Sequence, residues 1–288
     1  MSEPLLAPRW DERLRDEVAR AEPIRTLAAG SRLAVISDAH GNLTALQAAS
    51  ADIARQNVDL VVAAGDLAQG GCRPDGVMDF LGARGWPAVL GNSDALLLDL
   101  HDGLIAVPPE VAWLEASGRW SLQRLGPQRV AALRSLPLAL RVGLPGGRSA
   151  VIVHATTWSL EALVPPDAPD VLRARMLREA RADLLVHGHI HSAYHRAVDG
   201  GLLVSVGALS GSNDADGRTA YTLFTFDAQT VTIEVRRVTP DLEAERAAIR
   251  ASGMPQADRV LRLVSRAGGP WPVRVAEGAI ARLPYGVT

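Results

Sequence analysis

The chain has 288 residues, 48% of them hydrophobic, and its 30 basic against 32 acidic side chains leave a formal charge of -2. That length suffices for one large α/β domain or two small ones around a substantial core, and so even a balance excludes a basic stripe of the kind that grips duplex nucleic acid or an anionic membrane. All 30 basic residues are arginine, which excludes a P-loop lysine, a pyridoxal Schiff base and a serine–lysine dyad.

Residues 1–30 carry Glu3, Asp11, Glu12, Asp16 and Glu17 without an apolar stretch, so no secretory signal is expected. No apolar run approaches the ~18 residues that span a bilayer, and the expectation is a cytoplasmic protein with no membrane contact. The first predicted element is a charged helix over 8–21 with Trp10, Leu14 and Val18 on one stripe. Pro23 and Gly30-Ser31 then separate it from the body. Leu33–Ile36 is a continuous apolar run of the kind buried on both faces, ending in Ser37-Asp38-Ala39-His40-Gly41, with a helix from about Asn42 to Gln56. Leu60–Ala64 repeats the pattern and ends in Gly65-Asp66. A helix near 75–83 leads to a third short strand, Ala88–Leu90, which ends in Gly91-Asn92-Ser93-Asp94. This alternation predicts a parallel sheet with crossover helices.

Residues 95–136 read as helices joined by Pro108-Pro109 and Gly118, an insertion over the sheet edge. Strands resume at 139–142 and 150–153, the latter ending in His154. A helix over 170–182 feeds Leu184–Val186 and the turn His187-Gly188-His189-Ile190-His191. Four strands then follow without helices, at 193–198, 202–206, 219–226 and 229–237, and are expected to be antiparallel. Thr239 is expected to N-cap a last helix with Pro240 at its first position. The tail from Gly268, with Pro270, Pro272 and Pro284, has no assignable element. The organisation expected is an N-terminal helical extension (1–30), a central domain (31–238) and a C-terminal helical extension with its tail (239–288).

Apolar strands thus end, one after another, in side chains able to hold a metal: Asp38 and His40, Asp66, Asn92, His154, and then His189 and His191. In open α/β sheets ligands bind beyond the carboxyl ends of the strands, so these groups can converge. Asp38 and His40 are two apart, which in extended chain turns both to one side, and His189 and His191 repeat the spacing. A single histidine at a strand end is most often a satisfied polar residue; five blocks in this order are another matter. The lone Cys72, in a Gly-Gly-Cys loop, can form neither an internal disulfide nor a cysteine cluster and reads as a small loop residue.

Asp-x-His, Gly-Asp, Gly-Asn-x-Asp, His and Gly-His-x-His, in that order over residues 32–227, resemble the calcineurin-like metallophosphoesterases, most of all their compact bacterial and archaeal phosphodiesterases. The resemblance implies a four-layer α/β/β/α sandwich of two mixed sheets flanked by helices. It implies one divalent ion on Asp38, His40, Asp66 and His191 and a second on Asp66, Asn92, His154 and His189. Asp38, His40, Asp66, Asn92 and His154 would be the catalytic set, with in-line attack on phosphorus by a hydroxide between the ions. Four imidazoles favour transition metals, manganese first, with Fe, Zn, Ni or Co as alternatives. The substrate implied is a small phosphate ester or nucleotide, with Asn92 and Asn42 as phosphate contacts, although Asn42 serves equally well as a helix cap. The alternatives are a nucleotide or protein phosphomonoesterase, or a non-catalytic metal-binding scaffold of the same fold.

Two departures from the family pattern bear on chemistry. Ser93 stands where many relatives have a histidine that assists the leaving group, and Ser205-Val206-Gly207-Ala208 stands in place of Asn-Pro-Gly-Ser. His101, in the insertion, and His195, four residues beyond the last ligand, are the candidates to replace the missing acid. Trp113 and Trp120 either cover an aromatic group of the substrate or pack the helices of the insertion.

Overall fold

A computed structural model describes residues 5–213, 218–264 and 280–285. In chain order the elements are α1 (Arg9–Arg20), β1 (Pro23–Thr26), β2 (Arg32–Ile36), α2 (Leu43–Ile53), β3 (Leu60–Ala63), α3 (Pro74–Arg84), α4 (Asn92–Asp102) and α5 (Ala112–Arg134). They continue as β4 (Ala139–Leu144), β5 (Arg148–Val153), α6 (Asp170–Ala180), β6 (Leu184–His187), β7 (Ala193–Val198), β8 (Gly201–Val206), β9 (Thr219–Phe226), β10 (Thr230–Val238), α7 (Leu242–Ala251), α8 (Ala257–Val264) and β11 (Ile280–Pro284).

The strands form a six-stranded sheet in the order β1-β4-β5-β6-β8-β7 and a five-stranded sheet in the order β11-β10-β9-β2-β3. Both are mixed: β2 runs parallel to β3 and antiparallel to β9, while β5, β6 and β8 are parallel and β4 and β7 antiparallel to their neighbours. Alternation along the strands builds the layers. Leu33 and Val35 of β2 face the other sheet, in one cluster with Ile152, Val186, Val204 and Phe224, while Ala34 and Ile36 face α2 and α3. On the far side Val151, Leu185 and Leu203 bury α1, α4, α5 and α6. The four-layer sandwich implied by the sequence is the one observed.

Local differences have identifiable causes. Residues 88–90 form only a bridge, Ala63 to Ala88, because Pro87 has no N–H to extend the ladder. Gly118 lies inside α5, where a Cβ would strike Leu100, and the helical path breaks instead at Gly126-Pro127, with Gly126 at φ 66. Asp241, not Thr239, caps α7, its carboxylate accepting from Ala244 N at 2.9 Å. Two short strands carry no sequence signal: β1, whose four residues are all exposed, joins β4, and β11, from the unassigned tail, extends β10. The remainder of that tail lies outside the described residues.

Asp52 of α2 ties its helix to the five-stranded sheet. It accepts from Tyr221 Oη at 2.8 Å and from Arg236 Nε at 3.0 Å. Burial alone would raise this carboxyl, but the Tyr221 and Arg236 bonds hold it below its ordinary 3.8. The stabilisation is therefore present above that value and lost as pH falls through the lowered pKa. Asp52→Asn should cost about 2 kcal/mol, the worth of hydrogen bonds to a charged group. In denaturant titrations the variant's deficit should be full at neutral pH and vanish in acid; a deficit independent of pH would contradict this.

Candidate metal centre

The seven ligand candidates meet at one end of the sandwich, and their backbone explains how. Asp38, His40, Asp66, His189 and His191 have φ between 47 and 68, and they make up five of the eight non-glycine residues with positive φ among the described ones. The pairs 38/40 and 189/191 are thus not extended, as their spacing suggested. Each turns inward through the left-handed region, which costs a side-chain-bearing residue on the order of 1 kcal/mol or more. Glycines leave the room this needs: a Cβ at Gly91 would overlap the Asp66 carboxylate, and one at Gly188 the Ser37 hydroxyl and Asp38 carboxylate.

Two groups result, Asp38/His40/His191 and Asp66/His154/His189, with the ligand atoms of each within 4.8 Å of one another. The groups adjoin through Asp66, whose Oδ2 lies 3.6 Å from His40 Nε2 and whose Oδ1 lies 3.4 Å from His154 Nε2. Asn92, the first residue of α4, puts its Oδ1 2.9 Å from His154 Nε2. The histidines are oriented from behind. His40 Nδ1 lies 2.7 Å from Gln69 O, His154 Nδ1 2.8 Å from Ala64 O and His191 Nδ1 2.9 Å from Gly211 O. Those carbonyls accept the ring N–H and leave each Nε2 pair pointing inward.

Whether these residues suit a cation can be judged from their unshared pairs. His40 Nε2 and His191 Nε2 are 3.2 Å apart, and His191 Nε2 is 3.3 Å from Asp38 Oδ1. Asp38 Oδ1 is buried without a hydrogen-bond partner. So many acceptors without a donor between them are held only by protons or by metal ions. The titration directions agree. Burial alone would raise both carboxyls, but His191 and His154 bring Asp38 down to about 2, and His154 and His40 take Asp66 lower still. Burial would lower His154, but Asp66 reverses this and raises it to about 9. The donor set of carboxylate, amide oxygen and imidazole fits divalent transition metals.

Ser93 has a role its sequence position did not suggest. Its N and its Oγ both donate to Asp66, each at 2.8 Å, which fixes the carboxylate at which the two groups adjoin. Asp94 is fully engaged, accepting from Leu67 N and Ala68 N at 3.0 Å and from Gly91 N at 3.2 Å. It therefore locks α4 to the loop after β3 and is not free to orient an imidazole at position 93. Asn42 caps α2, its Oδ1 accepting from Ala45 N at 3.0 Å, while its Nδ2 lies 3.5 Å from Ser210 Oγ at the rim of the site.

Neither candidate acid reaches the centre. His101 is exposed and paired with Asp102, and His195 is exposed on the edge strand β7. His187 is buried, and burial lowers it to about 3, with its Nδ1 3.1 Å from Gly188 O. Cys72 is also buried, and burial together with Glu245 raises its thiol to about 11, far from a nucleophile.

A cavity of about 360 Å³ opens over the centre, with His40, Asn92, Ser93 and His191 on its floor. Its walls come from segments remote in sequence: Leu5 and Leu6, Gln69, Leu96, Trp113 and Leu114, Ser210 and Gly211, and Arg259, Val260 and Leu263 of α8. The N-terminal wall is anchored by Asp99, which accepts from Ala7 N at 3.0 Å and Trp10 Nε1 at 2.9 Å. The C-terminal wall is anchored by the ion pair of Arg73 with the buried Glu245 of α7. Trp113 lines the cavity, whereas Trp120 packs against Ile249, Met254 and Val260. Gln69, Ser210 and Arg259 were not flagged by the sequence, since no motif or periodicity marks a residue that meets the site only through the fold.

Residues 32–229 match the calcineurin-like phosphoesterase superfamily domain. The chain belongs to that superfamily. An uncharacterized protein of Methanocaldococcus jannaschii is 25% identical over 253 residues, 78% of this chain and 95% of its own length. Among solved structures, a metallophosphoesterase from Sphaerobacter thermophilus matches with a TM-score of 0.65 at 22% identity, over 82% of this chain and 98% of that one. A hypothetical protein from Pyrococcus horikoshii OT3 matches with a TM-score of 0.72 at 19% identity, over 83% and 99%. These likenesses show the same fold. The superfamily is one of metal-dependent phosphoester hydrolases, and the two ligand groups supply candidate metal positions. Among the described residues no helix is long and apolar enough to cross a membrane.

Ser93→Ala should weaken metal binding by roughly 10–100-fold, the usual cost of losing a group that orients a ligand. Titration of the metal-stripped protein with Mn²⁺ reads this directly; unchanged affinity would show that Asp66 is held without Ser93.

Proposed function

We propose that this chain is a phosphodiesterase with two divalent transition-metal ions, one on Asp38, His40, Asp66 and His191, the other on Asp66, Asn92, His154 and His189. The observation that carries this reading is the pair of adjoining ligand groups, with the Asp66 carboxylate between His154 of one and His40 of the other. Ions bound there would supply Lewis acidity to the phosphate and an activated water. Manganese suits the set first, with Fe, Zn, Ni or Co as alternatives. Asp66, gripped by Ser93, fixes the spacing of the two groups, and Asn92 contributes an uncharged oxygen that limits the negative charge met by an anionic substrate.

Two features favour diesters over monoesters. The cavity walls are mainly apolar, with Leu5, Leu6, Leu96, Trp113, Val260 and Leu263 able to bury a second ester group. Among the described residues the imidazoles in the lining are those of His40 and His191, and the Glu161 carboxylate already accepts from Leu5 N and Leu6 N at 3.3 Å. Among the described residues no spare acid stands over a leaving group. The substrate class is accordingly a small phosphodiester, nucleotide derivatives included.

With manganese-loaded protein, bis-(p-nitrophenyl) phosphate should exceed p-nitrophenyl phosphate in kcat/KM by about tenfold or more, the leaving group being the same. A faster monoester would overturn the diester reading. Ser93→His should not restore monoester turnover, because Asp94 is occupied by three backbone N–H groups. Monoester activity raised by roughly 100-fold, the size of general-acid help, would show that another group orients the new imidazole.

A further inference from the structure

The outer half of the cavity has its own chemistry, distinct from that of the metal centre. Gln69 is 3% exposed and lines the cavity. Its backbone carbonyl holds His40 Nδ1 at 2.7 Å, and its side-chain Nε2 donates to Leu114 O at 3.3 Å. Its Oε1 is buried and has no hydrogen-bond partner among the described residues. Beside it stands Trp113, one residue from the carbonyl that Gln69 holds, with the Arg259 guanidinium 3.9 Å from the centroid of its ring. Both line the same cavity, and Arg259 lies on α8, beyond the 32–229 span of the superfamily match.

We propose that Gln69, Trp113 and Arg259 form a subsite for a planar aromatic group bearing an N–H donor, as a nucleobase does, joined to the phosphate held at the metal centre. The inference rests on the phosphodiesterase reading for the position of the phosphate, while the subsite itself is read from these three side chains. A buried amide oxygen without a donor is an unmet acceptor, and a ligand N–H is the group that meets it. The Trp113–Arg259 pair is a wall of two planar π-systems against which a third planar group packs. The scale fits as well, since about 360 Å³ lies at the lower end of small-ligand cavities. Because Gln69 touches both the His40 ring and the subsite, ring and phosphorus belong to one compact molecule.

The test uses two esters with the same leaving group and the full-length, metal-loaded protein. The p-nitrophenyl ester of thymidine 5′-phosphate carries a ring with an N–H; methyl p-nitrophenyl phosphate carries none. The thymidine ester should exceed the methyl ester in kcat/KM by roughly tenfold or more, and Trp113→Leu and Gln69→Met should each collapse that ratio with metal content unchanged. Calorimetry gives a readout independent of turnover. Thymidine 5′-phosphate should bind about fivefold or more tightly than its N3-methyl analogue, and Gln69→Met should erase the difference. Equal kcat/KM for the two esters together with equal binding of the two nucleotides would overturn the subsite and leave the phosphodiesterase reading intact. Failure to hydrolyse either ester with metal bound would instead count against that reading, and the binding comparison would still decide the subsite.

Discussion

Two carboxylates, three imidazoles and one amide crowd together at distances of 2.9 to 3.8 Å, and His189 joins the group of Asp66 and His154. Their unshared pairs repel unless protons or metal ions stand between them, and the surrounding protein holds them in place. Carbonyls of Ala64, Gln69 and Gly211 fix three rings, Ser93 fixes Asp66, and Asp94 fixes the start of α4 on the loop after β3. Five of the seven residues sit in left-handed backbone. That strain is sustained because the two sheets bury the strands that deliver these residues.

The same constraint shapes the rest of the molecule. Ligands must leave the strand ends at tight turns, so Gly91 and Gly188 stand where a Cβ would overlap Asp66 or Asp38. The centre opens into a cavity roofed by the N-terminal segment, α5 and α8. Ion pairs and buried polar contacts, Asp99 at one end and Arg73 with Glu245 at the other, hold the roof to the sandwich. The ligand candidates thereby come from the strand ends, and the cavity walls come in part from segments outside the matched domain, Leu5 and Leu6 before it and α8 after it.

The convergence of the ligand candidates was legible in the sequence because each stands at the end of a buried apolar strand, and strand ends converge in an α/β sheet. Their backbone was not, since a left-handed Asp38 or His191 is imposed by tertiary contacts and leaves no trace in hydrophobic pattern. Strands β7 to β10 came out within one or two residues of expectation, long apolar alternation being the strongest local signal. Strands β1 and β11 did not, because exposed edge residues such as Ile24 and Arg25 carry no such alternation. Ser93 was legible only as an absence, the missing histidine, whereas the structure gives its hydroxyl a positive role on Asp66. Gln69 and Arg259 were invisible for a simpler reason. They lie 190 residues apart, and only the fold brings both to the lining of one cavity.

The central claim, that the convergent unshared pairs exist to hold two cations sharing Asp66, is tested most directly by anomalous diffraction from manganese-loaded crystals. The account predicts two peaks roughly 3.5–4 Å apart, one within bonding reach of Asp38, His40 and His191, the other of Asn92, His154 and His189, with Asp66 between them. A single peak, or two peaks that do not share Asp66, would contradict it.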